Sequence, residues 1–190
     1  TKQMDFFSSL LKNMLKKLKK ITGIALLSAL ASVYGGGAVA GPRPVAPLSM
    51  EARVFAVATS IERVAGQKAA IIIASDAAKN AFVLPDKTIV LSKGLLSECA
   101  SDDEIAFVIA HEMAHIASND HARNYKPGIA GASLPDSRQR EITADRLAAL
   151  YIMAAGYDPA AAVRILFRVA PEPTDAFTER LDNLLDYLAR

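Results

Sequence analysis

The stretch 101–117 constrains the fold more than any other part of the chain, because it spells a helix that has to lie inside the protein. Ser101-Asp102-Asp103-Glu104 opens it as a capping box, with Ser101 as N-cap and Glu104 at the third helical position. The acidic first turn also suits the positive end of the helix dipole. From Ile105 to Ala117 nearly every residue is apolar or small except His111, Glu112 and His115, so burial on most sides is expected. Polar side chains in such a setting need partners. His111 and His115 stand four apart and therefore share one face, roughly 5–6 Å apart at Cβ. Two neutral imidazoles so placed can both approach one zinc ion, and Glu112 points to one side, within reach of a water without being a ligand. The bland alternative, two histidines satisfied separately in the core, needs two acceptors in an alanine-rich interior.

The rest of the composition agrees with a compact, mainly helical body: 52 % of residues are apolar, aromatics are few and Trp is absent. A length of 190 residues favours one core plus an N-terminal extension. Charge is unevenly placed. Residues 1–20 carry six lysines and one aspartate and residues 21–40 carry no charge, leaving sixteen basic against nineteen acidic residues in the remainder. A nearly neutral, faintly acidic body gives no electrostatic ground for nucleic-acid binding. Cys99 is the only cysteine, so no disulfide forms within the chain and the redox compartment stays open.

The first forty residues read as an address. Lys12, Lys16, Lys17, Lys19 and Lys20 precede an uncharged run over 21–33, and small residues end in Ala38-Val39-Ala40 before Gly41. That order of basic start, apolar centre and A-x-A site is a signal peptide's. The rival reading of 1–40 is a retained membrane anchor, weakened by Gly35-Gly36-Gly37 against the roughly 20 apolar residues a span needs. Either reading exports the body, to a periplasmic or secreted place, with membrane contact only through the N-terminal segment. The Pro-rich stretch 41–48 reads as a linker, and 49–190 as one domain.

Within that domain, periodicity predicts a helix over 49–65 with Ser49 as N-cap and Gly66 as its stop. The β-branched run 69–74 predicts a buried strand, and 80–84 with 88–92 a hairpin around Pro85-Asp86-Lys87. Residues 94–99 predict a short helix or turn, and 119–135 an irregular loop. Further helices are expected from Asp136 to about Ala155, from Asp158-Pro159 to near Pro171, and over 174–189 with Phe177, Leu181, Leu184, Leu185 and Leu188 as the apolar stripe.

A catalytic zinc takes three protein ligands and leaves a place for water. Two residues compete for the third position. His121 completes the metzincin spacing, but Ser118 stands where that motif has the glycine of its sharp turn. Glu141 lies on the next long helix with Asp145 one turn on, so that one carboxylate can bind metal while the other orients a ligand imidazole. The plain alternative is a solvated acidic face paired with Arg138, Arg140 or Arg146.

His111-Glu-Met-Ala-His115 together with Glu141-x-x-Ala-Asp145 resembles the gluzincin metallopeptidases of the HtpX, Oma and CAAX-prenyl-protease type, metallopeptidase family forty-eight. Asn80-Ala-Phe-Val-Leu-Pro85, Ser92-Lys-Gly-Leu-Leu96 and Gly156-Tyr-Asp-Pro159 extend the similarity over about residues 50–182. The resemblance implies His111, His115 and Glu141 as ligands of one zinc ion per chain, Glu112 as general base and Asp145 as the carboxylate behind a ligand histidine. It also matches Arg180 to an arginine that stabilises the oxyanion; the alternative is a helix-surface Arg. One departure is that Pro173-Thr-Asp-Ala176 stands where the family often has Thr-His-Pro, so a histidine that could occupy the fourth metal position is missing.

These readings converge on an α+β, zincin-like domain, mainly helical with a small sheet beside the His111 helix. The expected activity is endopeptidase cleavage of extended or unfolded exported polypeptides, in keeping with protein quality control in a cell envelope. The alternative is a zinc-stabilised, chaperone-like protein that grips such clients without cutting them.

Overall fold

A computed structural model describes residues 49–120, 134–170 and 174–189. The segment and linker expected over 1–48, and His121 with the rest of the expected loop to residue 133, lie outside the described residues. Helix α1 (Met50–Ala65) starts where the Ser49 hydroxyl accepts from the Ala52 N–H at 3.2 Å, and buries Val54, Val57, Ala58 and Ile61. Strands β1 (Ile71–Ala74), β2 (Ala81–Val83) and β3 (Ile89–Ser92) form a sheet of order β1-β3-β2, with β1 parallel and β2 antiparallel to β3.

The expected hairpin is β2 with β3, but the expected buried strand needs correction. β1 is an edge strand, and its Ile72 is 51 % exposed while Ile71 and Ile73 pack on the core. The strand buried throughout is β3. An apolar β-branched run cannot say which strand is central, because that depends on which strands pair on either side.

Ser92 ends β3 and caps α2 (Lys93–Glu98), accepting from the Leu95 N–H at 3.1 Å. Helix α3 (Asp102–Ala117) follows and occupies the middle of the domain, packed against α1, α4 (Leu134–Ala154), α5 (Ala160–Val169) and the edge strand β2. The capping box is only half reciprocal. Ser101 accepts from the Glu104 N–H at 3.4 Å, but the Glu104 carboxylate reaches past Ser101 to the Ala100 N–H at 2.6 Å. It also pairs with Arg168 and Arg164 of α5, so a residue read as a local cap ties two helices together.

Helix α4 begins two residues before the expected Asp136, with Pro135 in its first turn, where a missing N–H leaves no intrahelical bond unmade. It ends at Gly156, whose φ of 86° lets Tyr157 N–H reach Ile152 O at 2.9 Å and Gly156 N–H reach Met153 O at 3.1 Å. Helix α6 (Asp175–Leu188) is capped by Thr174 and buries Leu181, Leu184 and Leu185 against α4 and α5. The expected α+β class is what is observed: helices gathered round a three-stranded sheet beside α3. Among the described residues no helix is long and apolar enough to cross a membrane.

Candidate metal centre

His111 and His115 rise from the C-terminal half of α3, on the side facing α4, and each is largely buried. Their Nε2 atoms lie 3.1 Å apart. Glu141 comes from α4 and places Oε2 at 3.4 Å from His111 Nε2 and Oε1 at 3.4 Å from His115 Nε2. Four ligands held at about 2.0–2.1 Å in a tetrahedron lie roughly 3.3–3.4 Å from one another, so the edges of this triangle match a tetrahedral zinc face. Among the described residues these three form the one cluster able to hold a metal ion, and two imidazoles with one carboxylate are a donor set that suits zinc.

Behind each imidazole stands a carboxylate. Asp145, one turn after Glu141 on α4, puts Oδ1 at 3.0 Å from His111 Nδ1. The distance is that of a hydrogen bond, but the alignment is not, and Nδ1 has no well-directed acceptor. Asp120 Oδ2 lies 3.4 Å from His115 Nδ1. Both aspartates are almost fully buried. Sequence reasoning missed Asp120. The available signal was Asn119, a residue that tolerates the left-handed region, directly ahead of a carboxylate and just past the helix. Asn119 has φ of 58°, and the reversal it makes turns Asp120 back onto α3. The sharp turn thus comes one residue after Ser118.

Arg180 of α6 closes the cluster. Its Nε and Nη2 donate to the two oxygens of Asp145 at 2.9 and 2.8 Å, and Nη1 lies 3.0 Å from Glu141 Oε2. This fork holds both α4 carboxylates by their outer side. Arg138 pairs instead with Glu179, Arg140 approaches Asp120 at 4.0 Å, and Arg146 donates to Asn183. Glu141 and Asp145 therefore face the imidazoles and Arg180 rather than forming a solvated acidic face.

The electrostatics are those of a cation-binding pocket. Burial opposes charge on His111, but Asp145 and Glu141 outweigh it and lift the imidazole to about 10. Burial likewise pushes Glu141 and Asp145 up, yet the imidazole contacts and Arg180 hold both well below the carboxylate range. In the absence of metal a proton on His111 answers this field; a divalent cation would answer it more fully. Glu112 differs. It is buried beside the cluster, and burial raises its carboxyl more than His111 and His115 lower it. Such a carboxylate is a stronger proton acceptor than an exposed one.

Residues 48–128 match Peptidase family M48, a span that includes all of α3. Over 136 residues the chain is 29 % identical to the mitochondrial metalloendopeptidase OMA1 of Arabidopsis thaliana, covering 60 % of this chain and 28 % of that protein. Over 118 residues it is 30 % identical to the mitochondrial metalloendopeptidase OMA1 of Saccharomyces cerevisiae, covering 50 % of this chain and 34 % of that protein. The chain thus matches about a third of the length of these relatives.

Proposed function

From the match of residues 48–128 to Peptidase family M48 we propose that the protein is a zinc-dependent endopeptidase acting on extended or unfolded polypeptide. One observation carries the reading: His111 Nε2 and His115 Nε2 stand 3.1 Å apart and each faces an oxygen of Glu141 at 3.4 Å. In this reading His111, His115 and Glu141 hold one zinc ion, which when bound supplies Lewis acidity, lowering the pKa of a water to about 7 and polarising the scissile carbonyl.

The chain's own residues do the rest. Glu112 takes the proton of the attacking water and passes it to the leaving amine, a task favoured by its upward-shifted carboxyl. Asp145 and Asp120 steady the two imidazoles at Nδ1, so that both present Nε2 inward. Arg180 binds Asp145 and Glu141 together and brings positive charge to the cleft where the carbonyl oxygen becomes negative. The edge strand β2 beside α3 offers backbone groups to a substrate lying as an added strand, which selects chains without folded structure. We extend the reading to an exported or membrane-tethered body on the basis of the basic and then uncharged stretches in residues 1–40.

The test is Glu112→Gln. The variant should keep stoichiometric zinc, while its hydrolysis of an unfolded protein drops by at least about 100-fold. Full activity in that variant would remove Glu112 as the base. Client binding that persists in the wild type with no chelator-sensitive cleavage would favour the chaperone-like alternative.

A further inference from the structure

Ile72, Val90 and Phe82 stand in one row across the three strands, Val90 of β3 being the partner of Ile72 on β1 and of Phe82 on β2. Side chains alternate between the two faces of a sheet. Ile71, Ile73, Ala81 and Val83 pack on the core, so the row lies on the opposite face, outside the core cluster. There Ile72 and Phe82 are 51 % and 43 % exposed on either side of the buried Val90. We propose that this face rests on a lipid bilayer with anionic headgroups, with Ile72 and Phe82 entering the headgroup boundary.

Charge favours a lipid surface. Residues 66–94, which contain the whole sheet, carry four lysines against two aspartates, whereas residues 41–190 as a whole carry more acidic than basic groups. The register puts Lys68 and Lys87 at the end of the sheet where β1 and β3 begin, and Lys79 and Lys93 at the other end. Lys79 is paired with Glu98 at 2.8 Å, and Lys68, Lys87 and Lys93 are exposed. An exposed apolar row with lysines at both ends suits the interfacial zone of an anionic bilayer, where each nearby lysine strengthens binding about fivefold.

The place where residues 1–48 enter the domain points the same way. They join at Ser49, and the Glu51 carboxyl is held low by backbone and Ser49 hydrogen bonds and then by the charge of Lys93, which follows β3. The entry is therefore at the Lys93 end of the sheet. Residues 41–48 reach at most about 26–29 Å, which keeps the uncharged stretch 21–40 close to the row. A bilayer that holds this stretch meets the face at high effective concentration, so modest apolar contact suffices. A second copy fits worse. The face is about 10 Å across and about 13 Å along the strands, far below the roughly 800 Å² per partner that a stable dimer buries. Docking by the face leaves the outer edge of β2 free and is independent of the chemistry at the metal centre.

The experiment places the full chain on vesicles of phosphatidylcholine and phosphatidylglycerol, with a fluorescent thiol label at Ala70→Cys, two residues before Ile72, or at Asp186→Cys on α6. Cys99 is buried and does not compete for the label. Brominated acyl chains should quench the label at position 70 and not that at 186. Vesicles of phosphatidylcholine alone should give at least about fivefold less quenching. Ile72→Glu should keep the thermal unfolding midpoint and abolish the quenching, and Lys68→Gln and Lys87→Gln should each weaken it about fivefold. Equal quenching at both positions, quenching that these variants leave unaltered, or none at position 70 overturns the proposal. So does a label at position 70 that is shielded before vesicles are added, which assigns the face to residues 21–40 if protein concentration has no effect and to a second copy if it has.

Discussion

Asp120 Oδ2 lies 3.4 Å from His115 Nδ1, although the two residues are separated by a helix end and a left-handed turn at Asn119. From another helix Asp145 Oδ1 lies 3.0 Å from His111 Nδ1, close but without hydrogen-bond alignment. Each candidate ligand imidazole thus has its own buried carboxylate, one local in sequence and one remote. Removing such a partner typically weakens metal binding by about 10–100-fold. Asp120→Ala should therefore lower zinc affinity by roughly that factor in a chelator-competition titration, while Asp120→Asn, which keeps an acceptor, should recover part of it. Equal affinities in all three proteins would show that Asp120 does not orient His115.

Arg180 holds Asp145 by two hydrogen bonds and reaches Glu141 with a third nitrogen. Its loss leaves the buried Asp145 with only His111 as a charge partner. Breaking a buried pair from one side costs about 3–5 kcal/mol; with His111 still present, Arg180→Ala should lower stability by roughly 2–3 kcal/mol in urea unfolding. Arg180→Lys restores the charge but not the fork and should recover less than half of the loss. An unaltered unfolding midpoint in Arg180→Ala would mean that the fork adds nothing to the fold.

Metal uptake should displace a proton. In the metal-free protein the neighbouring carboxylates hold His111 at about 10, above the ordinary 6.5, so at neutral pH this imidazole is charged and must become neutral to bind zinc. Calorimetric titration of zinc at pH 7 in buffers of different ionisation enthalpy should report release of close to one proton per ion bound. Release should shrink as the pH is raised toward 10. An enthalpy independent of buffer at pH 7 would contradict this charge state.

Glu104 couples the start of α3 to α5 through Arg168 and Arg164. Burial pushes its carboxyl up, but those guanidinium groups and the Ala100 N–H more than offset burial and hold it below the ordinary 4.5. A carboxyl lowered on folding stabilises the native state above its unfolded pKa, and the contribution fades as pH falls below it. Glu104→Gln should therefore destabilise the protein by about 1–3 kcal/mol at pH 7. The gap between variant and wild type should narrow in unfolding curves taken below pH 4.5. A gap that stays constant with pH would assign the effect to packing alone.

How much of this was legible beforehand depends on how far apart in sequence the partners lie. Ser49 and Ser101 read correctly as caps because a cap bonds an N–H three residues away. The hairpin of β2 and β3 read correctly because its turn is local. The exposed face of β1 and the reach of Glu104 to Arg168 did not, since both depend on an element tens of residues distant. Asp120 lay in between: its turn was foreshadowed by Asn119, but the direction in which it returned was not.

By itself the amino-acid order determined that His111 and His115 share one face, since four residues of α-helix bring two side chains together whatever surrounds them. It also determined that the helix carrying them is interior, because an apolar sequence on nearly every face has no other stable place. Only the tertiary structure decided that Glu141 of α4 meets both Nε2 atoms, that Asp145 and Asp120 stand behind the rings, and that Arg180 of α6 clamps the carboxylates. Those contacts join separate helices, and it is the packing of their apolar faces, not any local spacing, that sets where their polar residues converge.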